Sequence, residues 1–301
     1  MNAKWITPSV TALDKAGHVD LEGNTKLYEN LIGNGMDGIL ILGSIGEFFA
    51  IPMEEKMALV AHAVKAVNKR VPLIVGTNSM LFEECVEFSN YALDQGADAV
   101  MVIAPFYFNI PDDGVEYFYS QLAERVHGNL YFYNFPARTG YALKPEMMLK
   151  LAKKYKNIKG VKDTVGNMDS TRDIIQIVKK ELPDFEVYSG FDEFFGHNIL
   201  SGGNGCIGGI SNFIPNIASG YAKAARADDL AGMCESQRKI DNLMKIYGIG
   251  EQFVPIIKKA VQLTGVDIEE NVTAPLLPPT ETQIEKIRQL LVDSGIDVVK
   301  C

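Results

Sequence analysis

A chain of 301 residues, 47% of them hydrophobic and with a formal net charge of −9, can bury a core large enough for one α/β barrel or two smaller domains. The negative balance, with no Lys/Arg cluster flanked by aromatics, excludes nucleic-acid binding through phosphate neutralisation, and the composition excludes disordered, collagen-like, coiled-coil and disulfide-rich classes. Residues 1–8 contain no apolar core of signal-peptide length, no run reaches membrane-spanning length, and Cys85, Cys206, Cys234 and Cys301 show neither metal-ligand spacing nor an obvious pairing, so a reduced, soluble, cytoplasmic protein without a membrane partner is expected.

In chain order, short apolar runs predict strands at 5–8, 38–42, 73–76, 99–103, 130–133, 158–162, 186–188 and 206–208. Several are apolar throughout, as strands covered on both faces should be. Amphipathic patterns between them predict helices at 52–68, 82–95, 114–126, 145–155 and 169–182. Pro52 and Pro145 suit a first helical turn, and Gly96 and Gly128 suit positions just past a helix end. This alternation argues for a (β/α)8 TIM barrel over 1–225, although an open doubly wound sheet uses the same pattern with fewer strands. Beyond it, 228–247, 252–263 and 281–294 read as a C-terminal three-helix region spanning 226–301. Pro275, Pro278 and Pro279 stiffen the connector before its last helix.

Lys162 closes the run Ile158-Lys159-Gly160-Val161-Lys162. At the mouth of a buried strand its charged form is disfavoured, and a neutral amine can attack a ketone to form a Schiff base. The alternative is a lysine that snorkels to the surface. Catalytic groups of a barrel lie at the C-terminal strand ends, which places Ser44, Thr77, Asn78, Tyr107, Tyr133, Asn134, Lys162 and Asp163 on one rim. Neighbouring strands lie about 4.8 Å apart, so Tyr133 can touch Lys162 and exchange protons with it, with Ser44 and Tyr107 as a relay. The turn Gly43-Ser44-Ile45-Gly46-Glu47 can present backbone N–H groups to an anion. Arg138 can grip a carboxylate, or be an ordinary loop arginine. Ser201–Ile210 lacks a phosphate-loop ending and reads as tight packing. His18, His62, His127 and His197 are not grouped like a zinc site, and Asp192 with Glu193 reads as a cap for the following helix.

Gly43-Ser44-Ile45-Gly46-Glu47, Tyr133-Asn134-Phe135-Pro136 and Gly160-Val161-Lys162-Asp163-Thr164 occur in that order. Together they resemble the dihydrodipicolinate synthase/N-acetylneuraminate lyase superfamily of class I aldolases over nearly the whole chain. The resemblance implies a (β/α)8 barrel, an imine between Lys162 and pyruvate, and no separate cofactor. It makes Tyr133 the acid/base phenol and Ser44 the relay hydroxyl, and Tyr107 the tyrosine that some members lend to a neighbouring subunit. Ile45, Arg138, Gly190 and Ile207 fall at substrate-binding positions, and a homotetramer built from dimers is implied. Ile45 departs from the pattern: family members commonly carry threonine or another small residue there, whereas Ile45 offers the pyruvate carboxylate only its backbone N–H.

Arg138-Thr139-Gly140 resembles dihydrodipicolinate synthase, which condenses pyruvate with aspartate semialdehyde. Ser189-Gly190-Phe191-Asp192-Glu193, Phe135-Pro136-Ala137, Leu276-Leu277-Pro278-Pro279 and the Phe253–Ala260 segment are more similar to the branch that cleaves 2-keto-3-deoxy sugar acids. Positions that bind inhibitory lysine in some synthases hold Met53, Lys56, Met80 and Phe106 here, which weakens the biosynthetic alternative. The expected activity is that of a Schiff-base lyase of the 2-keto-3-deoxygluconate aldolase type. Dihydrodipicolinate synthase and, further off, a non-catalytic keto-acid-binding protein are the alternatives.

Overall fold

The computed structural model describes residues 1–299. Eight strands, β1 (Lys4–Pro8), β2 (Gly38–Ile41), β3 (Leu73–Gly76), β4 (Ala99–Ile103), β5 (Leu130–Asn134), β6 (Ile158–Asp163), β7 (Glu186–Ser189) and β8 (Gly205–Ile207), close into a barrel in sequence order. The closed sheet decides against the open doubly wound alternative. Strands β2 to β5 are buried at every position, which is why each reads as an uninterrupted apolar run.

The helices are α1 (Leu21–Gly33), α2 (Met53–Val67), α3 (Phe82–Gln95), α4 (Asp112–Arg125), the single turn α5 (Pro136–Thr139), α6 (Pro145–Lys154), α7 (Met168–Ile174), α8 (Phe195–Leu200), α9 (Pro215–Arg226), α10 (Leu230–Leu243), α11 (Phe253–Leu263) and α12 (Glu281–Asp293). Asp20 and Asp229 cap α1 and α10 by accepting from the N–H of Gly23 and Gly232, and Thr280 with Gln283 forms a capping box on α12. Pro52 stands one residue earlier than expected, as the N-cap of α2. Gly96 caps α3 in the left-handed conformation that glycine tolerates best. Gly128, by contrast, lies beyond the α4 cap at Val126. A Cβ at 128 would meet Leu93 Cδ2 at 2.6 Å, so close packing requires the glycine there. The helix expected over 169–182 changes to π-helical turns at Ile175–Lys179.

The chain divides into two compact units. One comprises Trp5–Leu73 and the chain from Gly208 onward, so that the C-terminal helices α10 to α12 share a unit with β2, α1 and α2. The other comprises Ile74–Ile207 with Asn2–Lys4 and holds β4 to β8. Within this second unit β4 through β8 pair in parallel; the β5–β6 register shifts once, between Leu130 and Tyr131, and beyond the shift Tyr133 lies opposite Lys162 and Lys162 opposite Tyr188.

At the N-terminal ends of these strands, Glu186 takes the Lys4 ammonium at 2.7 Å and the Tyr131 hydroxyl at 2.5 Å. Tyr131 reaches it across β6 because position 160 is glycine; a Cβ there would stand 2.8 Å from the tyrosine ring. Burial pushes the Glu186 carboxyl up, but Lys4 and Tyr131 outweigh it and hold the group below its ordinary value.

Candidate active site

Lys162 is the penultimate residue of β6 and only 5% exposed. The parallel register sets it beside Tyr133 on β5, and its Nζ lies 4.6 Å from the centroid of the Tyr133 ring. Tyr133 stacks on Phe135, with centroids 5.9 Å apart and planes at 29°, and the Arg138 guanidinium stands 5.8 Å from the Phe135 centroid. An amine, a phenol, an apolar ring and an exposed guanidinium therefore follow one another from the interior outward. Arg138 sits on the helical turn α5, fixed by Pro136 at its start and Gly140 at φ 69° at its end.

The polar residues beside Tyr133 and Lys162 have a different task. Asp163 accepts hydrogen bonds from Asn134 Nδ2 (2.7 Å), Thr171 Oγ1 (2.8 Å) and Ser170 Oγ (3.1 Å). Asn134 in turn accepts from the Leu143 N–H at 3.0 Å. The group is a latch tying the ends of β5 and β6 to the start of α7. Burial pushes the Asp163 carboxyl up from its ordinary value, against the three hydrogen bonds that favour its charge. Thr77 shares a hydrogen bond with Ser89, and Asn78 accepts from the Ile103 N–H, so both are occupied in holding β3 to its surroundings.

Gly190 follows β7, and a Cβ there would stand 1.9 Å from Thr164 Oγ1. The Thr164 hydroxyl is buried and has no hydrogen-bond partner among the described residues. Sequence reasoning had quoted Thr164 only as part of a motif; its buried, unpaired hydroxyl beside an obligatory glycine is a feature that residue type alone did not signal. Ile207 ends β8, fully buried. Tyr107 is 85% exposed, held at φ 83° and packed edge-on against Phe108. Asp192 and Glu193 open a 3-10 turn, and the caps of that turn and of α8 are Phe191 and Phe194, neither with a side-chain bond. The acidic pair therefore does not cap α8 as expected.

In the other unit, Ser44 and Ile45 occupy the turn after β2. Ile45 is buried, its Cδ1 3.2 Å from where a Cβ of Gly209 would stand. Ile45 is thus committed to packing, and only backbone groups are left at this position for an anion. The turn ends in Glu47, which forms an ion pair with Lys258 of α11, a pair that sequence reasoning missed. Its signal was the pair Lys258 and Lys259, both buried, in a largely apolar helix.

Among the described residues no group of three or more His, Cys, Asp or Glu side chains is placed to hold a metal ion, and no helix is long and apolar enough to cross a membrane. Cys85, Cys206 and Cys234 are free thiols; Cys301 lies outside the described residues.

Residues 1–293 match the model of the dihydrodipicolinate synthetase family. Two proteins of Escherichia coli K12 are each 33% identical to this chain. One is provisionally named 2-dehydro-3-deoxy-D-pentonate aldolase (YjhH) and covers 97% of both chains. The other is provisionally named 2-dehydro-3-deoxy-D-gluconate aldolase (YagE) and covers 95% of both. A 4-hydroxy-tetrahydrodipicolinate synthase of Kosmotoga olearia is 32% identical over 94% of this chain and 95% of its own. The crystal structure of YagE in complex with pyruvate superimposes with a TM-score of 0.95 at 32% identity, covering 98% of this chain and 99% of that one.

Proposed function

We propose, since this chain belongs to the dihydrodipicolinate synthetase family and is a lyase of the class I aldolase type, that Lys162 forms its Schiff base with pyruvate and that the physiological substrate is a 2-keto-3-deoxy sugar acid. The observation that carries this reading is the buried Lys162 amine on the face of Tyr133. In the cleavage direction the neutral amine adds to the C2 carbonyl, and the resulting carbinolamine loses its hydroxyl as water to give the iminium. The iminium draws electrons from the C3–C4 bond as the C4 hydroxyl gives up its proton, releasing an aldehyde and leaving an enamine. Protonation at C3 and hydrolysis return pyruvate and the free lysine. The Tyr133 phenol carries the proton both at the carbinolamine hydroxyl and at the C4 hydroxyl. No separate cofactor takes part.

Ser44 extends the relay, and the Ser44 and Ile45 amides of the turn after β2 bind the keto-acid carboxylate. Gly190 and Ile207 line the substrate, and the unpaired Thr164 hydroxyl suits a polyol chain. Tyr107, exposed and in a strained backbone conformation, is suited to reach a second copy of the chain, as a homotetramer of dimers acting in the cytoplasm would require. One observation favours a second substrate: the exposed Arg138 guanidinium, beside the Phe135 ring, is suited to meet the carboxylate of aspartate semialdehyde in a 4-hydroxy-tetrahydrodipicolinate synthase reaction. Incubation with pyruvate, borohydride reduction and peptide mass mapping test the shared mechanism. A pyruvyl adduct on Lys162 is the expected result; folded protein without one would overturn it.

A further inference from the structure

Glu47 and Lys258 form an ion pair with no exposed side-chain surface on either partner. Glu47 Oε2 also accepts from the Thr273 N–H at 2.6 Å and the Thr273 hydroxyl at 2.8 Å. Lys258 Nζ donates to the Asn271 carbonyl at 2.7 Å, and Asn271 Nδ2 donates to the Asp14 carbonyl at 2.5 Å. Taking two charges out of water is costly, and a well-packed apolar pair of similar volume often serves stability as well or better. Stability alone therefore gives no reason for the pair.

What the pair holds is the turn after β2. Leu42 at φ 55° and Glu47 at φ 59° both adopt the left-handed conformation that non-glycine residues avoid, and they bracket Ser44 and Ile45. Gly46 is pressed against β1, a Cβ there standing 3.0 Å from the Ser9 carbonyl oxygen, and its own carbonyl accepts from the Thr11 hydroxyl at 2.8 Å. Strained backbone of this kind persists only where its surroundings over-determine it. With isoleucine at 45, no side-chain hydroxyl there can compensate for a displaced amide.

We propose that Glu47 and Lys258 are positioning residues for substrate binding: the buried pair, anchored through Thr273 and Asn271 to the segment between α11 and α12, fixes the direction of the Ser44 and Ile45 amides. This rests on the reading that those amides bind the keto-acid carboxylate. The pair touches no substrate; it acts through the turn. Releasing it loosens the carboxylate site and leaves the amine and phenol chemistry in place, so the loss falls on binding and spares the saturated rate.

The test replaces both charges at once, Glu47→Leu with Lys258→Met, so that neither is left buried alone. The concentration of pyruvate giving half-maximal borohydride trapping on Lys162 should rise about tenfold, with the turnover number at saturation within about twofold of wild type. The thermal midpoint should be unchanged or higher, and the Ser44 and Ile45 amides should exchange faster with deuterium. A folded double variant with wild-type half-saturation overturns the inference. Should the double variant fail to fold, Thr273→Val decides, because it removes one hydrogen bond to Glu47 and keeps both charges. A rise of about threefold is expected there, and no rise overturns the inference. Failure of the underlying reading is distinct: the wild-type enzyme would itself give no pyruvyl adduct on Lys162.

Discussion

Lys162 Nζ stands 4.6 Å from the centroid of the Tyr133 ring, on strands whose register makes the two residues direct partners. The ring face and the hydroxyl of Tyr133 are therefore separable contributions. Tyr133→Phe keeps the face against Lys162 and removes the proton carrier. It should retain pyruvate affinity and lose about 10²–10⁴-fold in turnover number, the usual scale for a positioned acid/base group. Lys162→Ala should abolish trapping altogether. Wild-type turnover in either variant, measured by steady-state kinetics, would refute the roles given to them.

Arg138 reaches outward from the stack on Phe135, where it can select between substrates. With aspartate semialdehyde as acceptor, Arg138→Ala should raise KM by about 10²-fold, the scale of a lost charge-assisted carboxylate contact. With a neutral aldehyde or a sugar acid gripped elsewhere, KM should stay within about threefold. Parallel kinetics on both substrates decide which reaction the guanidinium serves.

The strands were legible because parallel strands covered on both faces read as plain apolar runs, and their predicted limits differ from β1–β8 by one residue at most. Helices α1 and α9 escaped for a local reason. α1 buries Gly23 and Asn24 in its first turn, and α9 buries Ala218, Ser219, Ala222 and Ala225, small residues that fill a packed face without giving an apolar stripe. At the site, Lys162 and Tyr133 could be paired from strand order alone. Asn134 and Asp163, one position further along, carry equally suggestive side chains yet form a latch, since residue type cannot tell a hydrogen bond inward from one offered to substrate. The Glu47–Lys258 pair joins positions 211 residues apart, beyond the reach of any local pattern.

Two carboxyls, Glu186 half-buried and Asp163 buried, should respond to pH with opposite sign. The Glu186 carboxyl is held below its ordinary value by Lys4 and Tyr131 against the burial that raises it, so the folded state binds fewer protons than the unfolded chain. Its contribution is present above the unfolded carboxyl value of about 4.3 and is lost as pH falls through the folded value. Glu186→Gln should therefore be less stable than wild type at pH 7, with the gap closing below about pH 4. Asp163 is raised by burial, so its ionisation opposes folding as pH climbs from about 3.9 towards its folded value. Chemical denaturation of wild type and Glu186→Gln between pH 3 and 7 checks the sign; a gap that widens on acidification would show that the Lys4 pair does not govern Glu186.

Thr164 separates stability from recognition. Its hydroxyl is buried without a partner among the described residues, with Gly190 so close that no side chain fits between them. An unsatisfied buried hydroxyl destabilises the empty enzyme, so Thr164→Val, nearly equal in shape, should leave the thermal midpoint unchanged or raise it. If a substrate hydroxyl completes that hydrogen bond, the same variant should lose about 5–30-fold in kcat/KM for a 2-keto-3-deoxy sugar acid, the range for one neutral-to-strong hydrogen bond. Trapping by pyruvate, which carries no polyol, should be unaffected. Differential scanning calorimetry alongside kinetics on both compounds reads the three effects. Equal losses for pyruvate and the sugar acid would place Thr164 in the support of Lys162, leaving the polyol to be recognised by another group.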